Sequence, residues 1–201
     1  MTEQDEPACP QAVLIGGYAG TGKTSIARAL ARQTGWALLD KDTLCGPLVE
    51  TALAVLSLPP GDRDSDAYRT VVRPAEYRAL LDTSLDNVRI GRSVIAVAPF
   101  IGEFADEQWL SGTRSAVEAS GGWLRIVWVH GDADSMLTYL RRRGAARDRS
   151  KLTDWDGYLR HLNLGLVPAA GPYELVDNSL GTGSPATHAN ALRRRLVSAG
   201  S

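Results

Sequence analysis

Residues 12–32 read AVLIGGYAGTGKTSIARALAR and are the strongest indicator of the fold. It opens with four apolar residues, Ala12 to Ile15, a run that predicts a short buried β-strand. A glycine-rich segment follows, and apolar and basic residues then recur at the spacing of an amphipathic helix. The sequence therefore predicts a strand, a tight turn and a helix in direct succession.

The turn from Gly17 to Thr24 matches the phosphate-binding pattern G-x-x-x-x-G-K-[ST] at every position. Glycines let the backbone direct successive N–H groups around an anion, and the following helix points the positive end of its dipole to the same place. A glycine-rich turn that binds nothing is the alternative, but the strand and helix that a phosphate loop requires flank this one. We therefore expect a nucleoside triphosphate site with contacts from Gly17, Ala19, Gly20, Thr21, Gly22, Lys23, Thr24 and Ser25.

Two side chains of the loop carry the expected chemistry. Lys23 supplies a positive charge to the β- and γ-phosphates, and the hydroxyl of Thr24 is a ligand for Mg²⁺. The expected cofactors are therefore ATP and Mg²⁺.

Composition narrows the classes of protein and partner. The chain has 201 residues, of which 44% are hydrophobic and 22% charged, as in an ordinary globular domain. Lys and Arg total 22 against 23 Asp and Glu, a balance that disfavours a nucleic-acid partner bound through a broad basic field. No apolar run approaches the roughly 20 residues of a membrane span, and the acidic start lacks the apolar stretch of a signal peptide. We expect a cytoplasmic monomer or homodimer without a membrane or nucleic-acid partner.

Short apolar runs alternate with helical patterns along the rest of the chain, which predicts an α/β fold with a mostly parallel sheet. Further strands are predicted at residues 36–39, 93–98, 124–129 and 173–177, and helices at 43–57, 65–90, 103–120, 132–143, 154–163 and 185–198. Residues 1–10 are polar and contain two prolines, so we expect a flexible tail before one domain over residues 11–201.

Asp40 and Asp42 follow the second predicted strand, at the edge of the sheet where ligands bind in open α/β folds. A phosphoryl acceptor needs a carboxylate that orients its hydroxyl and accepts its proton, and Asp42 is the candidate for this general base. The alternative is that Asp42 caps the helix predicted to start at Thr43. For Asp40 we expect a structural role or a place in the metal shell.

Residues 16–44, the tripeptide Ala98-Pro99-Phe100 and residues 141–156 resemble the small P-loop kinases. Within these, the chain is similar to the group that contains chloramphenicol phosphotransferase, zeta toxin and gluconate kinase. The resemblance covers most of residues 12–180 and implies a five-stranded parallel sheet in the order 2-3-1-4-5, flanked by helices. It also implies ATP-dependent transfer of a phosphate to a hydroxyl of an antibiotic, a nucleoside or a sugar-like metabolite. A nucleotide-dependent regulatory or toxin-like protein, acting on a nucleotide-sugar or a protein, remains the alternative.

The same group carries an arginine-bearing lid over the phosphates, and the resemblance places it here at about residues 141–152. We expect Arg147, and after it Arg143, to stabilise charge on the transferring phosphoryl group. A solvated basic helix end is the alternative.

Many relatives also end the third strand with an Asp that helps to hold Mg²⁺, whereas this chain has Ala98 and Pro99 there. Magnesium would then rest on Thr24 and the phosphates, with Asp40 or Asp42 nearby.

The acceptor is expected between the end of the second strand, the helical region 43–90 and the loop after the third strand. Beside Asp42, the candidate acceptor-binding residues are Arg73, Tyr77 and Phe100, although aromatic residues more often belong to a core. An uncharged or cationic acceptor fits the acidic cleft that we expect there.

Overall fold

The computed structural model describes residues 9–145 and 148–198. In this part of the chain, parallel strands form a five-stranded sheet in the order β2-β3-β1-β4-β5. The strands are β1 (Gln11–Gly16), β2 (Ala37–Asp40), β3 (Val94–Val97), β4 (Trp123–His130) and β5 (Tyr173–Asp177). The α/β class, the parallel pairing and the strand order are confirmed.

Helices cover both faces of the sheet. They are α1 (Lys23–Thr34), α2 (Lys41–Val55), α3 (Arg73–Arg89), α4 (Ile101–Ala105), α5 (Glu107–Ala119), α6 (Ala133–Arg143), α7 (Arg149–Thr153), α8 (Trp155–Arg160) and α9 (Pro185–Ser198). A π-helical turn, Tyr68–Val72, runs directly into α3. No helix in the described ranges is long and apolar enough to cross a membrane.

β1 is buried at all six positions because the strand lies in the middle of the sheet. Its side chains alternate between two hydrophobic cores. Leu14 packs into the core that contains Leu80 of α3, whereas Ile15 packs into the one that contains Ile26 of α1 and Leu192 of α9.

Two predicted helices differ from the observed ones because of their caps. The helix expected over 103–120 is broken at Asp106, whose extended backbone ends α4 and whose carboxylate caps α5 by accepting the N–H groups of Gln108 and Trp109. The helix expected from Thr43 begins two residues earlier, at Lys41.

A cleft lies at the carboxyl ends of β1, β2 and β3. Gly16, Asp40 and Val97 are the last residues of these strands, which are neighbours in the sheet, so the three ends lie side by side. The loops that leave them enclose a cleft at the carboxyl edge of the sheet, as in other open α/β folds.

Candidate active site

The phosphate loop joins the end of β1 to the first residue of α1, Lys23. Gly22 precedes the helix with a φ of 81°, in the left-handed region that glycine adopts most easily. A Cβ at this position would also collide with the side-chain amide of Asn178. Glycine at position 22 is therefore required both by its backbone angle and by the space around it.

Side chains from outside and inside the loop hold its shape. The Nδ2 of Asn178 donates to the carbonyl oxygen of Thr21 at 2.9 Å. The Nζ of Lys23 and the hydroxyl of Thr21 both donate to the carbonyl of Tyr18, at 3.2 and 3.0 Å. The hydroxyl of Tyr158 in α8 accepts a backbone hydrogen bond from Ala19, while burial raises its pKa to about 12. These contacts hold the loop in a defined shape.

The N-terminus of α1 fits an anionic group. No described side chain caps it, so its first N–H groups and its dipole are directed at the loop. Of the predicted nucleotide contacts, Ala19, Lys23 and Thr24 line the cleft. Thr21 is buried within the loop, and Ser25 is exposed on α1.

One cleft of about 530 Å³ extends from this loop to α2, the π-helical turn and α3. The residues after β3 also line it. The lining residues are Ala19, Lys23, Thr24, Asp40, Lys41, Asp42, Arg63, Tyr68, Arg69, Arg73, Tyr77, Val97, Ala98, Pro99, Ile101, Gly102, Arg143, Asp148 and Lys151.

Asp40 and Asp42 lie in the cleft in different roles. The Oδ1 of Asp40 accepts the N–H groups of Asp42 and Thr43 at 3.0 and 3.3 Å, so Asp40 is the cap of α2. The capping role considered for Asp42 therefore belongs to Asp40. Asp42 lies in the first turn with a side chain 42% exposed, and its Oδ1 is 3.3 Å from the Nζ of Lys41.

Lys41 is a buried lysine beside the candidate base. Its Nζ donates to Oε1 of Glu76 at 2.6 Å, and the hydroxyl of Tyr68 donates to Oε2 of the same carboxylate at 2.6 Å. Burial and the hydrogen bond to Glu76 raise the pKa of Tyr68, which keeps its hydroxyl protonated as a donor. Lys41 was not among the predicted site residues, although it adjoins both candidate aspartates. Its pairing with Glu76 depends on the packing of α2 against α3.

Arg73 and Tyr77 both line the cleft, one turn apart on α3. The guanidinium of Arg73 lies 4.2 Å from the centroid of the Tyr77 ring, and its Nη2 lies 2.7 Å from Oε1 of Glu103. Burial and the negative charge of Glu103 raise the pKa of Tyr77, whose hydroxyl accepts the N–H of Phe100 at 3.3 Å.

Phe100, the third predicted acceptor contact, lies elsewhere. Its side chain is fully buried and stacks on Phe104 with 5.0 Å between ring centroids. Its neighbours Pro99 and Ile101 line the cleft, but Phe100 does not. The structure therefore places the Phe100 ring in the core, and the residue has a φ of 50°.

The predicted lid starts at the end of α6. Arg143 lines the cleft and donates to both oxygens of Asp148, from Nε at 2.8 Å and from Nη2 at 2.7 and 2.6 Å. Asp148 is buried, and this bidentate pair fixes the guanidinium at the cleft wall. Arg147 lies outside the described residues, so its role stays a prediction.

Basic side chains outnumber acidic ones in the lining of the cleft, whereas an acidic cleft was expected. Its basic residues are Lys23, Lys41, Arg63, Arg69, Arg73, Arg143 and Lys151, and its acidic residues are Asp40, Asp42 and Asp148. Arg63 and Arg69 contribute to this excess, because the loop that precedes the π-helical turn and the turn itself bring them to the cleft, which no local sequence pattern predicts.

The residues near the loop fit a magnesium ion that arrives with a nucleotide. Within the described ranges there is no cluster of three or more His, Cys, Asp or Glu residues that could hold a metal alone. The cleft does combine the Thr24 hydroxyl with the carboxylates of Asp40 and Asp42. Mg²⁺ is commonly bound by one or two such oxygen groups together with phosphate oxygens and water.

Comparison with known proteins agrees with the fold. A family model described as an AAA domain matches residues 13–162. No sequence among the curated proteins matches the chain.

Solved structures share the fold over nearly the whole chain. A provisionally assigned kinase from Chloroflexus aurantiacus superposes with a TM-score of 0.64 at 18% identity, covering 92% of this chain and 97% of that one. A gluconokinase from Sinorhizobium meliloti gives 0.57 at 17% identity, covering 94% and 95%. The APS kinase CysC of Mycobacterium tuberculosis, solved with AMPPNP and APS, gives 0.56 at 19% identity, covering 95% and 99%.

Proposed function

This chain belongs to the AAA domain family that matches residues 13–162, and from that premise we propose that it is an ATP-dependent small-molecule kinase. It transfers the γ-phosphate to a hydroxyl group of its acceptor. The observation that supports this best is a single cleft with the phosphate-loop residues Lys23 and Thr24 and, on α2, the carboxylate of Asp42. A kinase needs this pairing of a triphosphate site and a proton acceptor within one enclosure.

The nucleotide half of the cleft binds the triphosphate. Backbone N–H groups of the loop and the start of α1 surround the phosphate oxygens, and Lys23 neutralises the β- and γ-phosphates. Thr24 and Asp40 would hold Mg²⁺, which supplies positive charge to the phosphates when it is bound. Arg143, fixed by Asp148, faces the same half of the cleft.

The acceptor half places a hydroxyl for attack. Asp42 accepts the hydroxyl proton as the acceptor oxygen bonds to the γ-phosphorus and the bond to the β–γ bridging oxygen breaks, releasing ADP. Lys41 lies against Asp42 and is itself fixed by Glu76, so the carboxylate keeps a defined position. Arg73 and Tyr77 contact the acceptor, and Arg147 adds charge from the lid.

The acceptor is a small molecule such as an antibiotic, a nucleoside or a sugar-like metabolite, since a cleft of about 530 Å³ is in the size range of small-molecule sites. The similar structures include a gluconokinase and an APS kinase. The protein acts in the cytoplasm as a monomer or homodimer, in line with the expectation from its composition.

A coupled assay of ADP release, with and without a panel of hydroxylated compounds, tests the proposal. A kinase turns over ATP rapidly only with its acceptor, and Lys23→Ala abolishes that turnover. The matched control is Arg32→Ala, a cation exposed on the same helix outside the cleft, which leaves the rate unchanged. ATP turnover that no acceptor stimulates and that Lys23→Ala does not affect would contradict the kinase assignment and favour the regulatory alternative.

A further inference from the structure

Three arginines line the acceptor half of the cleft: Arg63, Arg69 and Arg73. All three belong to one short segment, which comprises the loop before the π-helical turn, that turn and the first residue of α3. We call them the arginine cluster. Arg69 and Arg73 are four residues apart, and π-helical turns are frequent at functional sites.

Two members of the cluster are held in the same way. The guanidinium of Arg63 lies 5.1 Å from the Tyr68 ring centroid, and its Nη2 is 3.0 Å from Oε1 of Glu50. Arg73 repeats this arrangement on the Tyr77 ring, with Glu103 as its carboxylate. A ring face and a carboxylate together restrict the plane of a guanidinium, so both groups are ordered in advance.

The acids that hold these arginines are not part of the cleft wall. Neither Glu50 nor Glu103 is among the lining residues, whereas Arg63 and Arg73 are. The third member, Arg69, is 59% exposed, and its contact with Asp64 is long, at 3.7 Å. This contact is beyond the range of a good hydrogen bond. The charge of Arg69 is therefore weakly compensated at the cleft.

The two carboxylates that line the acceptor half of the cleft already have hydrogen-bond or ion-pair partners. Asp40 accepts two backbone N–H groups as the cap of α2, and Asp42 lies beside the ammonium group of Lys41. Of the charged groups in the acceptor half, the guanidinium of Arg69 is therefore the one most available to a ligand, with the ordered guanidiniums of Arg63 and Arg73 beside it in the cleft lining.

We propose that the phosphate acceptor is an anion, which carries a carboxylate, phosphate or sulfate group that the arginine cluster binds while its hydroxyl faces Asp42. The identification of this anion as an acceptor rests on the proposed kinase activity, but anion binding by the cluster does not. Guanidinium groups suit all three anions because their parallel N–H donors match pairs of oxygens.

Anion titration tests the cluster without phosphoryl transfer. The probes are inorganic sulfate and malonate, titrated by calorimetry into Lys23→Ala protein without nucleotide, which weakens anion binding at the phosphate loop. Sodium chloride at equal ionic strength corrects for screening. We expect saturable binding, and the tighter of the two probes distinguishes a phosphate-like or sulfate-like group from a carboxylate.

Substitutions within the Lys23→Ala protein assign the site. Arg69→Gln and Arg73→Gln should each weaken probe binding about tenfold, the typical effect of losing a charge-assisted hydrogen bond. Arg69→Gln is the sharper variant because its side chain is largely exposed and its loss leaves the fold intact. The control is Arg78→Gln, exposed on α3 and outside the cleft lining. Equal affinity in all variants, or no saturable binding, would overturn the proposal.

Paired acceptors test the same site under turnover. A hydroxy acid should be phosphorylated and its methyl ester should not, and Arg69→Gln should raise the KM for the acid about tenfold with a similar kcat. Equal use of acid and ester would overturn the inference while leaving the kinase activity established. Anion binding at the cluster without transfer to any compound would instead contradict the kinase activity alone.

Discussion

Neighbouring charged residues at the start of α2 have different tasks because their surroundings differ. Asp40 uses its carboxylate to cap the helix, and Lys41 is buried against Glu76. The carboxylate of Asp42 lies in the cleft with 42% of its side chain exposed. Two aspartates two positions apart thus differ, because one is used by the backbone of α2 and the other can meet a substrate.

Substitution of Asp40 and of Asp42 should separate the helix-capping role of Asp40 from the proton-accepting role proposed for Asp42. Asp42→Asn should lower kcat about 10²-fold, as expected for loss of a general base, and leave the free energy of unfolding nearly unchanged. Asp40→Ala should lower the free energy of unfolding by about 1 kcal/mol because α2 loses its cap. Acceptor-stimulated rates and urea denaturation measure both effects. A stable, fully active Asp42→Asn protein would show that Asp42 is not the base.

Arg147 offers a test of the lid at the level of one residue. A guanidinium over the γ-phosphate meets the largest charge in the transition state, so Arg147→Ala should lower kcat more than it raises the KM for the acceptor. Arg147→Lys should restore the rate only in part because lysine lacks the fixed fork of arginine. Steady-state kinetics of the two variants, with the exposed Arg142→Ala as control, provide the measurement. An unchanged kcat in Arg147→Ala would place the lid function elsewhere.

At the scale of elements, buried polar contacts join the helices around the cleft. Glu76 of α3 binds Lys41 of α2 and Tyr68 of the π-helical turn, so one carboxylate ties three elements together. On the other side, Tyr158 of α8 contacts the phosphate loop at Ala19. The shape of the cleft therefore depends on helices that are distant in sequence.

Loss of the Glu76 carboxylate should destabilise the fold. Glu76→Gln leaves the buried ammonium group of Lys41 without its main partner, and we expect a loss of about 3 kcal/mol in the free energy of unfolding. Arg89→Gln removes an exposed pair with Asp86 on the same helix and should change little. Chemical denaturation of both variants gives the comparison. Similar stability of Glu76→Gln and wild type would mean that Asp42 alone compensates Lys41.

Tyr158 should contribute to the loss of stability at alkaline pH. Its pKa is raised from 10.0 to about 12 by burial, so the folded state favours the protonated phenol. Its contribution is full below pH 10 and is lost as the pH rises towards about 12, because only the unfolded chain then readily releases the proton. Tyr158→Phe should therefore lose less stability than wild type between pH 9 and 11. Equal losses in urea denaturation at the two pH values would exclude this role.

At the scale of the whole molecule, ligand binding should be visible as stabilisation. Mg-AMPPNP at about a hundred times its dissociation constant should raise the free energy of unfolding by about 2.7 kcal/mol, because it binds only the folded state. Lys23→Ala should reduce this gain, and Arg32→Ala should preserve it. Thermal unfolding with and without the nucleotide checks both. Equal melting temperatures in wild type with and without Mg-AMPPNP would argue against a nucleotide site.

The parts of the site that were predictable are those that lie close together in the sequence. The phosphate loop is a contiguous motif between a strand and a helix, so its position did not require knowledge of long-range packing. Asp42 was predicted in the cleft because parallel strands end at a common edge. Arg63 and Arg69 were not assigned, since neither a loop arginine nor one in a helical turn carries a local sign of the surface that it faces.

Hydrophobic periodicity and glycine spacing act over a few residues, so most of the strands and helices and the position of the phosphate loop were predictable from the sequence. Long-range packing placed the Phe100 ring in the core, made Asp40 rather than Asp42 the cap of α2, and brought more basic than acidic side chains to the cleft. The physical reason is that burial and charge pairing depend on contacts between segments far apart in the chain. Glu76 and Lys41, separated by 35 positions, become an ion pair only when α3 packs against α2.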